Sequence, residues 1–183
     1  MRLTRIGYFA DFFVYPLLLA LLAWYSLDRA IVGERLTWAA AAAAGVAAWT
    51  LIEYILHRYV LHCAPALRQM HAQHHASPTE LIGTPSWVSV PIFVGLVLIP
   101  LVRSTPESIA CGATAGLMLG YLWYVAVHHA THHVRARPGT YLGTYLYRAK
   151  QRHAVHHHSQ RPCNFGVTTS LWDRVFGTTS PHV

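Results

Sequence analysis

Residues 36–62 read LTWAAAAAAGVAAWTLIEYILHRYVLH, an apolar run that passes without a break into a pair of histidines. It contains no proline and is rich in alanine and leucine, so it predicts one continuous helix. Roughly 26 residues at ~1.5 Å each give ~39 Å, more than the ~30 Å hydrocarbon core of a bilayer. Such a helix spans a membrane over about residues 36–56 and carries His57 and His62 clear of the lipid on its last two turns.

Three further apolar stretches are long enough to cross, at about residues 10–27, 86–102 and 108–127. The expected fold is therefore all-α and integral to the membrane, with four transmembrane helices and a histidine-rich helical cap. Pro85, Pro91 and Pro100 punctuate the third stretch, so residues 86–127 read either as two full spans or as a re-entrant pair. Composition agrees, because 54% hydrophobic and 11% charged residues is too apolar for a soluble globule. A length of 183 residues suits one membrane domain covering 1–183. The first stretch lacks a small-residue cleavage site and runs into Asp28 and Arg29, which predicts a retained span and no cleaved signal peptide. Gly112, Gly116 and Gly120 recur at every fourth position, and with the alanines at 39–44 they predict close helix packing. Cys63, Cys111 and Cys163 form no CxxC pair and read as reduced structural thiols.

Four crossings put the N-terminus, residues 57–85 and everything after 128 on one side. That side holds Arg2, Arg5, Arg58, Arg68, Arg135, Arg137, Arg148, Lys150, Arg152, Arg161 and Arg174, against Arg29, Arg35 and Arg103 on the other. The bias predicts that the larger set faces the cytoplasm, in a bacterial inner membrane or the endoplasmic reticulum. It also accounts for the net charge of +7 without a nucleic-acid partner, because the basic residues accompany no nucleic-acid motif.

The chain has 14 histidines, and all but His182 fall into four groups on that same predicted face. His71, His74 and His75 are spaced i, i+3, i+4, as are His153, His156 and His157, so each set projects from one helix face. His128 and His132 share a face, while His129 and His133 point about 100° away from it. His57 and His62, five apart, diverge by about 140° on a straight α-helix, which implies either different metals or a non-ideal final turn. Neutral imidazole is the commonest ligand of transition metals, and six ligands saturate an octahedral ion. A cluster of this size implies two metals, or one with many supporting histidines.

The seven acids, Asp11, Asp28, Glu34, Glu53, Glu80, Glu107 and Asp173, form no Glu-x-x-His pair of a carboxylate-bridged di-iron bundle, and no HExxH helix is present. Ligation is therefore expected through nitrogen. Glu53, one turn before His57, is a candidate either for a supporting hydrogen bond to a ligand histidine or for a plain helix-end position. His129, His133 and His158 read as supporting or surface residues, and His182 as tail. A membrane transporter should carry ionisable ligands inside its spans and a bis-haem cytochrome should spread its axial histidines along them, and the clusters fit neither.

HRYVLH at 57–62, HAQHH at 71–75, HHATHH at 128–133, RHAVHHH at 152–158 and NFGVTTSLWDRVFGT at 164–178 resemble the fatty acid hydroxylase and sterol desaturase superfamily. The first two boxes and the FGVTTSLWD ending are most similar to its fatty acid 2-hydroxylase branch. The resemblance implies ten metal ligands: His57, His62, His71, His74, His75, His128, His132, His153, His156 and His157. It implies an oxidoreductase with two Fe ions and dioxygen as co-substrate, hydroxylating a membrane lipid, most simply a fatty acyl chain. Carotenoid or sterol hydroxylation or desaturation on the same centre is the alternative within the family, and a membrane metal-binding or transport protein the alternative outside it. Imidazole sites hold zinc more tightly than ferrous iron, so zinc can replace iron on purification. The sequence contains no cytochrome b5 domain, so electrons are expected from a separate cytochrome b5-like or ferredoxin-like partner. Asn164, Phe165, Trp172 and Asp173 belong to the family-like ending; Asn164 is a supporting candidate, and Trp172 fits packing, headgroup anchoring or substrate contact. Tyr141, Leu142, Tyr145, Leu146 and Tyr147 suggest an interfacial segment before the last cluster.

Overall fold

The computed structural model describes residues 2–28 and 30–180; Arg29 and His182, both named above, lie outside the described residues. The described residues are helical: α1 (Arg5–Phe9), α2 (Asp11–Leu27), α3 (Val32–Ile55) with a π-helical turn at Leu56–Leu61, and α4 (Pro65–Ala76). These are followed by α5 (Ser86–Ile92), a second π-helical turn (Phe93–Leu98), α6 (Ile99–Ser104), α7 (Glu107–His133), α8 (Tyr141–His158) and α9 (Leu171–Val175). Four runs are long and apolar enough to cross a membrane: Arg5–Leu27, Val32–Leu61, Ser86–Ser104 and Glu107–His133. They overlap the four predicted stretches.

Two boundaries moved for identifiable reasons. The second helix starts before residue 36 because the Glu34 carboxylate accepts the Ile31 N–H at 3.0 Å, capping the start so that Glu34 and Arg35 enter the first turn. The third run is a continuous helix of 19 residues in spite of its prolines. Pro91 and Pro100 each lack an N–H, and between them the chain relaxes into a π turn where an α-helix would break.

Chain packing defines two compact units. The first takes residues up to Trp49 together with Leu81–Leu122. Within it α3 and α7 touch backbone to backbone: a methyl on Gly116 would overlap the Ala42 carbonyl, and one on Gly112 the Trp38 carbonyl. That close approach is what the predicted small-residue repeat supplies. Tyr15, Trp49, Phe93 and Tyr121 form an aromatic cluster, with Tyr15 and Tyr121 rings 4.8 Å apart and Trp49 and Tyr121 rings 5.4 Å apart. Beside it the buried Asp11 carboxylate accepts the Tyr121 hydroxyl at 2.6 Å and the Ser86 hydroxyl at 2.5 Å. A carboxylate in an apolar bundle is tolerable only with such donors, and here they tie α2 to α5 and α7.

The second unit takes Thr50–Glu80 and the residues from Trp123 onward. It contains all ten implied ligand histidines. Its apolar core is Val127, Ala149 and Val167, with Tyr124, Tyr145 and Leu146 packed against it. Tyr145 also donates its hydroxyl to the Thr168 carbonyl at 2.9 Å, so this part of the expected interfacial segment faces inward, whereas Tyr141 is 93% exposed. Trp172 donates its indole N–H to the Thr50 hydroxyl at 2.9 Å. The three cysteines are free: Cys63 exposed, Cys111 and Cys163 buried.

Candidate metal centre

Ten histidine rings converge in the second unit from four helical elements. The π turn places His57 and His62, α4 places His71, His74 and His75, α7 places His128 and His132, and α8 places His153, His156 and His157. The ring nitrogens sort into two sets. His57, His62, His71, His75 and His156 form one, and His74, His132, His153 and His157 the other, the nitrogens of each set lying within 4.8 Å of one another. His128 adjoins the second, its Nε2 3.1 Å from Nε2 of His74.

Helix geometry explains the sorting. On α4 the i, i+4 pair His71 and His75 enters one set and His74 the other; on α8 the i, i+4 pair His153 and His157 enters one set and His156 the other. His57 and His62 reach the same set because a π turn closes on the fifth residue, which cancels the divergence expected of an α-helix. Their ring centroids are 5.2 Å apart.

In the first set the Nε2 atoms of His71, His62, His156 and His75 form a closed ring with sides of 3.1, 3.2, 3.1 and 3.0 Å, and Nε2 of His57 stands 3.0 Å from that of His71. In the second set, Nε2 of His153 stands 2.9 Å from that of His132 and 3.1 Å from that of His157. Whether such a set suits a cation depends on where the protons are. His57 Nδ1 donates to the Phe165 carbonyl at 2.6 Å and His156 Nδ1 to the Cys163 carbonyl at 2.7 Å. A carbonyl only accepts, so both Nδ1 atoms carry the proton and both Nε2 atoms are bare lone pairs aimed at the other rings. Converging lone pairs repel unless a positive ion sits among them, and neutral imidazole is the form that binds one.

Burial keeps the rings neutral. Loss of solvation, reinforced by neighbouring imidazoles, lowers His71 to about 2 and His74 and His157 to about 3. His62 falls to about 4, and His156 to about 3 in spite of the opposing Cys163 carbonyl. The donor set therefore fits one or two transition-metal ions held by nitrogen.

The supporting candidates divide differently. Glu53, 3% exposed, does not reach a histidine: its Oε1 accepts the N–H groups of Val167 at 2.7 Å and Thr168 at 2.8 Å, and its Oε2 accepts the Thr168 hydroxyl at 2.7 Å. Neither expected role describes it, since it clasps a loop. Asn164 holds the same loop: its N–H donates to the Thr178 carbonyl, its Oδ1 accepts the Ser180 N–H at 2.9 Å, and it takes a left-handed φ of 52° that asparagine tolerates better than most residues. His129 and His133 stack on each other, centroids 4.5 Å apart, outside both sets, and His158 is exposed. Asp173 stood out in the sequence only as part of the family-like ending. It accepts the N–H groups of Phe165 and Gly166, both at 2.8 Å, and the Thr178 hydroxyl at 2.7 Å. The carbonyls of Cys163 and Phe165 were invisible to sequence reading, because main-chain atoms have no letter of their own.

The profile of the family described as "Fatty acid hydroxylase" matches residues 42–178. A fatty acid 2-hydroxylase of Rattus norvegicus is 31% identical over 174 residues, covering 88% of this chain and 45% of the relative. The Homo sapiens fatty acid 2-hydroxylase is 32% identical over 150 residues, 75% of this chain and 39% of the relative. A dihydroceramide fatty acyl 2-hydroxylase of Arabidopsis thaliana is 32% identical over 146 residues, 73% and 58% respectively. The chain thus spans less than half the length of the two mammalian relatives. A solved structure of full-length scs7p, with only its hydroxylase domain visible, shares the fold at a TM-score of 0.79 and 24% identity, over 97% of this chain and 68% of that one.

Proposed function

The chain belongs to the fatty acid hydroxylase family, and from that premise we propose that it is a multi-pass membrane oxidoreductase that hydroxylates the acyl chain of a lipid. The observation that carries the reading is the convergence of two sets of imidazole nitrogens, two of them with bare lone pairs enforced by backbone carbonyls. The relatives are named for fatty acid and dihydroceramide acyl 2-hydroxylation, which supports a free or amide-linked fatty acyl chain as the substrate class.

The ten histidines, with His128 completing the second set, would hold two iron ions, and bound iron would supply the redox chemistry that dioxygen activation requires. The net reaction balances as one C–H bond, dioxygen, two electrons and two protons giving one C–OH and one water. The two electrons would be supplied by an electron-donor protein or domain. The chain's own part is to keep the imidazoles neutral by burial, to fix the tautomers of His57 and His156 through Phe165 and Cys163, and to exclude bulk water from the nitrogen clusters. The bias of basic residues toward the histidine-bearing segments supports a cytoplasmic centre.

The test is lipid mass spectrometry of cells with and without the gene product. Acyl lipids that gain one oxygen only in the presence of the wild-type chain are expected. No gain of oxygen in any acyl, sterol or carotenoid pool overturns the reading.

A further inference from the structure

We propose that Glu53 and Asp173 are positioning residues for one metal position only, that of His57, His62, His71, His75 and His156, and that this position binds its ion more tightly than that of His74, His132, His153 and His157. The inference rests on the reading that both sets hold metal ions.

Its basis is a chain of peptide planes. The N–H and C=O of a trans peptide are coplanar and point in opposite directions, so gripping one aims the other. The Gly166 N–H is held by Asp173 Oδ2, and the carbonyl of that same peptide unit is Phe165 O, which receives the His57 Nδ1 proton at 2.6 Å. The Asn164 N–H is held by the Thr178 carbonyl at 2.9 Å, and the carbonyl of that unit is Cys163 O, which receives the His156 Nδ1 proton at 2.7 Å. Thr178 is itself tied to Asp173, its N–H to the Asp173 carbonyl at 2.7 Å and its hydroxyl to Oδ1. Glu53 takes the next two N–H groups, Val167 and Thr168, so two carboxylates grip four consecutive amides. Both carboxylates are almost fully buried, Glu53 at 3% and Asp173 at 1% exposure. A negative charge that accepts the N–H of a peptide also polarises it, making its carbonyl a stronger acceptor for the imidazole N–H.

The other set has no such clasp. The Nδ1 atoms of His74, His153 and His157 are buried and have no hydrogen-bond partner among the described residues. For these three rings no hydrogen bond selects the tautomer that leaves Nε2 bare, so binding an ion there must also fix it. Outer partners of ligand histidines typically change metal affinity by about 10–100-fold.

The experiment is a Co2+ titration of the purified full chain, followed by cobalt absorption and equilibrium metal analysis. The wild-type chain is expected to bind two ions in steps separated by at least about tenfold. His57→Ala should remove the tighter step and His153→Ala the weaker. Glu53→Gln and Asp173→Asn should weaken the tighter step by about 10–100-fold and leave the weaker one in place. Thr168→Val, which removes only the hydroxyl bond to Glu53, should shift the tighter step in the same direction by a smaller factor and serves where the carboxylate variants do not fold. Two equal wild-type steps, or variants with native helical content that weaken both steps alike or neither, would overturn the proposal. A wild-type chain that binds cobalt unequally but oxygenates no lipid overturns the proposed function and leaves this inference standing; one that binds no cobalt overturns both.

Discussion

At the residue scale, what separates a ligand candidate from a neighbouring histidine is where the second ring nitrogen goes and how far the ring is buried. His71 is buried and His75 half-buried, each with Nε2 about 3 Å from two or more others, whereas His129 and His133, on the same α7 helix as His132, stack away from the sets. Replacing His71, His75 or His157 by alanine is therefore expected to lose metal and hydroxylation together, while His129→Ala and His158→Ala keep both. Metal stoichiometry alongside lipid analysis checks this, and two ions per chain in the first three variants would count against the ligand assignment. Residue types and spacings announced these rings, but they could not announce Glu53, whose partners Val167 and Thr168 lie 114 and 115 residues along the chain.

At the element scale, α3 and α7 meet through a stripe that leaves no room for a side chain. Gly116→Leu is expected to cost about 1–3 kcal/mol or more, since the obstacle is backbone rather than a rotatable side chain. Gly33→Ala, with open space around it, should be nearly neutral. Thermal unfolding of the detergent-solubilised chain measures both. The four-residue glycine period was readable beforehand because it follows the α-helical repeat. The π turn at Leu56–Leu61 was readable only as one of two alternatives, because five-residue spacing by itself does not tell a second metal from a departure from the α register.

At the scale of the whole molecule, burial of the histidines couples folding to pH. In the folded chain His71, His74, His156 and His157 titrate at about 2 to 3, against about 6.5 unfolded, so below pH 6.5 the unfolded chain binds more protons. Their contribution is complete above about pH 6.5 and is lost as the pH falls toward 3. Protons also compete with metal for the same nitrogens. Lowering the pH from 7 to 4 is expected to release metal and lower the melting temperature, and a metal-loaded chain with an unchanged melting temperature at pH 4 would contradict this. Orientation has its own test. Cys63 is exposed while Cys111 and Cys163 are buried, so a membrane-impermeant thiol reagent should label Cys63 from the cytoplasmic side of sealed vesicles and not from the other. Labelling from the opposite side would reverse the proposed topology.

Four apolar helices, a nitrogen-rich candidate metal centre and the family resemblance were legible in the sequence alone, because hydropathy, helical period and histidine spacing are local properties that survive without a fold. The division of the ten histidines between two sets, and the tautomers of His57 and His156, were decided only by tertiary structure. The reason is physical: the sorting needs the helices and the π turn assembled, and the tautomers are set by the carbonyls of residues 163 and 165, whose loop is held by Glu53 on α3 and Asp173 on α9, so main-chain atoms acquire a role only once the chain has folded around them.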